Sequence, residues 1–252
     1  MTNYPTDLSN SQWEVISKYL DTQRSRKYDL RHIMDAILYL VKTGCQWRML
    51  PKDFPNWKLV YYYFSTWKKT QVIEHIHEEL VEKIRKQQGR NEEPSVGIID
   101  GQSVKNTLVS SESRGFDAGK KVKGIKRHMI VDSLGLILAV VIQSASVQDR
   151  DGAVEVVQKL VECWKKIIKI FADGSYSGAL IEKVKKGFSI TVEIVKRTQE
   201  HMFKVLPKRW IVERTFAWLE TNRRNAKYYE RLNDTRVAMV HLSAIRIMIK
   251  RF

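Results

Sequence analysis

The apolar residues of this 252-residue chain change their spacing near residue 90. Before that point they recur at intervals of three and four. Trp13, Ile16 and Leu20 form one set, and Ile33, Ile37, Leu40 and Val41 a second. Val60, Phe64 and Trp67 form a third, continuing into Ile73, Ile76 and Leu80. Such spacing is one face of a helix. Beyond residue 90 the apolar residues come as short runs instead: 96–99, 127–131, 136–142, 167–172 and 190–195. These are the runs of strands buried on both faces, with helical spacing between them and again after about Trp210. The pattern predicts an all-α region over residues 1–90 and an α/β domain with a mixed sheet over 94–252. The polar stretch Lys86 to Glu93, with Gly89 inside it, reads as the linker.

Local signals sharpen this division. Ser9 with Gln12 predicts a capping box, Asp29 and Asn56 predict helix starts, and Gly44 predicts a helix stop. Helix, glycine turn and helix are compatible with a helix-turn-helix DNA reader, although plain bundle packing is the commoner use of that pattern. Tyr61-Tyr62-Tyr63 reads as half core and half surface. Asp132-Ser133-Leu134-Gly135 sits between two β-rich runs and predicts a hairpin turn. Asp149 or Asp151 is expected to cap the helix that follows the hairpin.

Charge narrows the class of partner. Lys and Arg number 44 against 28 Asp and Glu, a net charge of +16. Residues 1–93 carry 15 basic and 12 acidic side chains, and the remainder carries 29 and 16. The excess of +13 in the second part favours a polyanion, nucleic acid first. Only Cys45 and Cys163 are present, which excludes a disulfide framework or a zinc ribbon. No signal peptide and no apolar run of membrane-spanning length is visible, so a cytoplasmic protein without a membrane partner is expected.

Three carboxylates stand out by position. Asp100 closes the first apolar run, Asp173 closes the fourth, and Glu213 lies near the start of the last helical region. Strand ends at one edge of an α/β sheet are where ligands bind. Carboxylates converging there suit a hard divalent cation such as Mg²⁺. Each residue also has a plainer reading: Asp100 before Gly101 and Asp173 before Gly174 as turn residues, Glu213 as a surface partner of Arg209 one helical turn away. Glu220, seven residues on, is a rival third carboxylate on the same helix face. His128 reads as a packing histidine, and Trp210 and Trp218 as core or rim residues.

The motifs then combine. Asp100-Gly-Gln-Ser-Val-Lys105, Gly124-Ile-Lys-Arg-His-Met-Ile-Val-Asp-Ser-Leu-Gly135, Ser146-Val-Gln-Asp-Arg-Asp-Gly152, Ala172-Asp-Gly-Ser-Tyr176 and Arg209-Trp-Ile-Val-Glu-Arg-Thr-Phe-Ala-Trp-Leu219 resemble bacterial insertion-sequence transposases of the DDE class. The resemblance is to the group named after insertion sequence five. Leu8 to Trp13 and Gly44 to Pro51 resemble that group's DNA-binding region. The resemblance implies an RNase H-like mixed sheet with helices on both faces, preceded by a helix-turn-helix-like domain. It implies Asp100, Asp173 and Glu213 as the catalytic, metal-holding triad, with two Mg²⁺ ions for which Mn²⁺ can substitute. The implied activity is binding of terminal inverted repeats, cleavage of the element ends, and joining of the 3′ ends to target DNA. Where the wider signature has a Tyr before Arg209 and a basic residue after Glu213, this chain has Leu206 and Glu220. Seven loop-like residues, His201 to Pro207, precede the last helical region and leave no room for a large insertion.

Basic residues around these motifs are expected to contact DNA backbone: Lys105, Lys126, Arg127, Arg209, Arg214, Arg223, Arg224 and Lys227. The expected partner is double-stranded DNA, both element ends and target, bound by a homodimer at the nucleoid. The alternatives are a nuclease of the same fold that does not rejoin DNA, and an inactive transposase-derived DNA-binding protein.

Overall fold

The computed structural model describes residues 4–107, 113–195 and 209–252, with Arg209 described in its backbone alone. The chain divides into two compact units, and the division is not a single cut in the sequence. One unit gathers the chain up to Ile84 with Leu219–Ala226 and Asp234–Phe252. The other holds Arg85–Trp218 and Lys227–Asn233.

The first unit is helical. α1 (Asn10–Ser17) starts at Ser9, whose side chain accepts from the Gln12 amide while the Gln12 side chain returns the bond, as the capping box predicts. α2 (Leu30–Thr43) starts at Asp29, whose carboxylate accepts from the Arg31 amide, and stops at Gly44 with φ +72°. That conformation costs a glycine little and other residues more. After a short 3-10 turn at Trp47–Met49, α3 (Trp57–Lys69) starts at Asn56 and buries Val60, Phe64 and Trp67. The helical spacing suggests that α3 runs on into Ile73 and Leu80. It does not: Gln71 takes φ +59° and a separate helix, α4 (Val72–Gln87), follows.

In the second unit six strands form one sheet: β1 (Val96–Lys105), β2 (Gly115–Asp117), β3 (Val122–Val131), β4 (Ile137–Ser144), β5 (Lys169–Ala172) and β6 (Thr191–Ile194). β3 lies antiparallel to β1 on one side and to β4 and β2 on the other. β5 runs parallel to β1, and β6 parallel to β5. This mixed sheet is RNase H-like, as the motifs imply. Helices α5 (Asp149–Cys163) and α6 (Ala179–Phe188) pack together on one face. Helix α7 (Arg209–Glu220) covers the other, where the Arg127 guanidinium of β3 stands 5.7 Å from the Phe216 ring centroid.

Two local readings need correction. α5 begins at Gln148, which makes no side-chain cap bond; Asp149 and Asp151 lie inside its first turn, where negative charge favours the helix dipole. Asp100 sits in the middle of β1, because β1 continues to Lys105 along β3 after β5 has stopped. The expected hairpin turn does form, and the Asp132 carboxylate accepts from the amides of Leu134 (2.9 Å) and Leu136 (2.8 Å).

The chain closes with α8 (Arg223–Ala226) and α9 (Asn233–Met248). Both helices fall in the compact unit of the early helices. α8 packs on α2, with the Arg224 guanidinium donating to the Cys45 carbonyl at 2.9 Å. The His241 ring of α9 stacks on His77 of α4 at 4.8 Å. Burial holds the His77 pKa well below the usual imidazole value, so the stacked contact is made by a neutral ring. The loop His201 to Pro207, with Leu206, lies outside the described residues.

Candidate active site

The site begins with a register. On β1 and β5, Val96, Gly97 and Ile98 pair with Lys169, Ile170 and Phe171, a constant offset of 73 residues. Asp173 keeps the extended backbone, with φ −85° and ψ 179°. The same offset carried two residues further sets Asp173 opposite Asp100. Residues paired on neighbouring strands point to the same face, and the strands are ~4.8 Å apart. Both aspartates are half-buried. The Asp100 carboxylate accepts from the Gly101 amide at 2.7 Å, and the Asp173 carboxylate from the amide of Ser175 at 2.9 Å and from its hydroxyl.

α7 lies over that same face. Gln102 and Arg127 are cross-strand partners, two residues along from the pair Asp100 and Met129, so all four point to one side. Arg127 reaches Phe216 there, and Glu213 lies three residues before Phe216 on α7. Glu213 is exposed. Among the described residues no three His, Cys, Asp or Glu side chains stand close enough to hold a metal ion. Asp100 and Asp173 each lie two residues beyond the last β1–β5 pair, and Glu213 is on α7, which meets the same face of the sheet through Phe216 and Arg127. The oxygen donors of Asp100 and Asp173 fit a hard divalent cation, which takes few carboxylates and fills its other positions with water or phosphate oxygen.

The cations divide sharply. Lys126 is 4% exposed, with its ammonium 3.0 Å from Asp149, 3.3 Å from Asp117 and 2.8 Å from the Val147 carbonyl. Arg127 is fully buried and donates to Gln102 and to the Tyr228 hydroxyl. Arg224 is buried against Cys45. These three were expected on DNA, and their internal partners leave them unable to reach a phosphate. Arg214 is half-buried between Trp210 and Trp218, 4.6 and 4.4 Å from the two ring centroids, and donates to the Leu134 carbonyl. The two tryptophans thus clamp a cation rather than fill a core. Lys105, Arg223 and Lys227 are exposed, and the Arg209 side chain lies outside the described atoms.

Sequence reasoning missed a buried polar group behind β1, on the face opposite Asp100. Besides its partner Lys126, Asp117 accepts from the Ser103 hydroxyl and the Lys120 amide. Burial pushes its carboxyl up, but these partners outweigh it and hold the pKa at about 2. The Lys120 ammonium donates to the Gly101 carbonyl at 2.7 Å. A Cβ on Gly101 would stand 2.6 Å from an Asp149 oxygen, so any side chain there would push that carboxylate aside. His128 is fully buried, as the packing reading has it, and burial lowers its pKa to about 4. The signal available in sequence was the recurrence of charged residues inside β-rich runs, which a pattern of exposed cations imitates.

Residues 91–248 match the family described as "Transposase DDE domain", and residues 8–77 match that described as "Putative transposase of IS4/5 family". The chain belongs to the DDE transposases. A relative from Burkholderia cepacia, named "Putative transposase for insertion sequence element IS402", is 28% identical over 131 residues. That match spans 49% of this chain and 62% of the relative. DDE transposase domains are in general dependent on a divalent metal, which agrees with the oxygen donors of Asp100 and Asp173. No described helix of this DDE transposase is long and apolar enough to cross a membrane.

Proposed function

We propose that this DDE transposase binds the terminal inverted repeats of an insertion sequence, cleaves the element ends with Mg²⁺, and joins the freed 3′ ends to target DNA. The observation that supports the reading is the parallel β1–β5 register, whose last pair, Ile98 and Phe171, stands two residues before Asp100 and Asp173. In this reading Asp100 and Asp173 hold the ions, and Glu213 is brought to them by α7. Ions bound by these carboxylates would supply activation of the attacking oxygen and stabilisation of the leaving one. The carboxylates fix the geometry from which water, and then a 3′ hydroxyl, attacks phosphorus in line with the bond that breaks. Arg214, held by its two tryptophans, and the exposed Lys105, Arg223 and Lys227 hold DNA by its backbone. The helical residues within 1–90 choose the element ends, and the protein acts as a homodimer on nucleoid DNA.

The test is incubation of the full chain with Mg²⁺ and DNA carrying the repeats that flank its gene. Cleavage at the repeat boundary followed by joined products is the expected result. Cleavage without joining points to a nuclease of the same fold, and binding without cleavage to an inactive copy.

A further inference from the structure

A cleft of about 860 Å³ opens on the helical unit, between α2, the segment before α1, and the end of α9. Its walls carry both signs of charge, but the two signs are used differently. The carboxylates serve the main chain: Asp7 accepts from the Tyr4 amide, Asp29 caps α2, and Asp35 accepts from the Leu8 amide at 2.9 Å. Arg31 is likewise spent on Asn10 and the Leu8 carbonyl. Among the described residues the Arg246 and Lys250 side chains donate to no main-chain group. They lie one helical turn apart and line the cleft together, and among the described residues neither has a carboxylate within ion-pairing distance.

A third cation stands with them. The Lys42 ammonium donates to the Thr221 carbonyl at 2.6 Å, and the Arg246 guanidinium donates to the next residue, the Asn222 side chain, at 3.3 Å. Two like charges are thus held by consecutive residues. Burial, with the charges of Arg246 and Lys250, lowers the Lys42 pKa, so the cluster repels itself. Arg246 is only 7% exposed, and among the described residues its Nε has no hydrogen-bond partner. A buried guanidinium N–H left without an acceptor costs on the order of 1–3 kcal/mol. An anion at this end of the cleft would relieve the repulsion, and a small turn of the Arg246 side chain would give its unpaired N–H that acceptor. A phosphate group has the oxygens to take the Arg246 donor and the charge to match three cations.

We infer that Lys42, Arg246 and Lys250 form a phosphate-binding site, and that the phosphate it takes is one from the DNA backbone. The second half rests on the reading of this protein as a DNA transposase. The site would give α9 a direct part in holding DNA beside the helices that choose sequence.

Two measurements on the full chain test it, with Lys250→Glu and Lys42→Gln as variants, because both side chains reach solvent while Arg246 is buried. The first compares melting in inorganic phosphate and in chloride at equal ionic strength. Phosphate should raise Tm of the wild type by on the order of 2 °C, and the variants should lose that gain. An equal gain in all three proteins, or none in any, overturns the site. The second follows binding to a duplex of arbitrary sequence against salt. Loss of one phosphate contact should make the log–log slope shallower by ~0.9 in the variants. A lost phosphate gain with an unchanged slope means that the site takes free phosphate and that the DNA half is wrong. A wild type that binds no duplex at all overturns the transposase reading, while the phosphate arm still decides the site.

Discussion

Asp100 follows Ile98 by two residues on β1, and Asp173 follows Phe171, the partner of Ile98 on the parallel strand β5, by the same two. The two carboxylates come from opposite sides of the hairpin and α5, 73 residues apart, and no local signal places them together. Asp100→Asn or Asp173→Asn keeps the shape and removes one anionic ligand. Either change should abolish Mg²⁺-dependent cleavage while duplex binding in a gel shift persists. Full cleavage by either variant would remove that residue from the metal site.

The division of α7 bears on which glutamate completes the site. Glu213 belongs to the sheet unit, one turn from Phe216, whereas Glu220 lies beyond Trp218 in the helical unit. Glu213→Gln should eliminate strand cleavage. Glu220→Gln should lower it less than ~10-fold, under ~1.4 kcal/mol in barrier terms. Single-turnover rates of the two variants decide the order.

Burial pushes the Asp35 carboxyl up to about 6, against the pull of the Leu8 amide. The folded chain then holds a proton that the unfolded chain releases near its ordinary value of ~3.9. The contribution of Asp35 to stability should therefore be greatest below ~pH 4, fall as pH rises towards about 6, and stay reduced above it. Asp35→Asn keeps an oxygen for the Leu8 amide and has no proton to lose. It should be more stable than wild type at pH 7.5 by up to ~3 kcal/mol, and the difference should close at about pH 4. Urea unfolding at the two pH values measures it.

Arg85 and Asp132 form an ion pair in which Arg85 is 7% exposed and Asp132 not at all. Asp132 also orders the β3–β4 turn through the amides of Leu134 and Leu136. Asp132→Ala leaves a buried guanidinium without its counter-charge, for which ~3–5 kcal/mol is the usual loss. A matching fall in unfolding free energy is the expected outcome. A loss below ~1 kcal/mol would show that water reaches Arg85 when its partner is gone.

Features fixed by a few neighbouring residues were readable in the sequence. Ser9 with Gln12, Asp29, Asn56, Gly44 and the Asp132–Gly135 turn each act within one turn of chain, and the structure forms them all. Features fixed by a distant partner were not. The length of β1 depends on β3, the ending of α3 turns on the backbone of Gln71, and nothing near Lys126 or Arg127 tells whether a cation faces water or Asp149 and Gln102. The aspartate pair was visible as two run endings, but its closeness needed the parallel register. Glu213 was visible through its motif, and its exposure on α7 was not.

The residues that close the helical unit come from two places far apart in the chain: α1 to α4 early, α8 and α9 late, with the sheet unit encoded between them. A ribosome therefore finishes β1 to β6 before the early helices can meet their last partners. Through most of synthesis the apolar faces of α2 and α4 have no α8 or α9 to pack on. A message cut short before α8 would yield early helices with no α8 or α9 to pack on, and proteolysis would clear them. Binding and cutting of DNA, if each belongs to its own unit, would then appear in the cell together, from chains translated past α9.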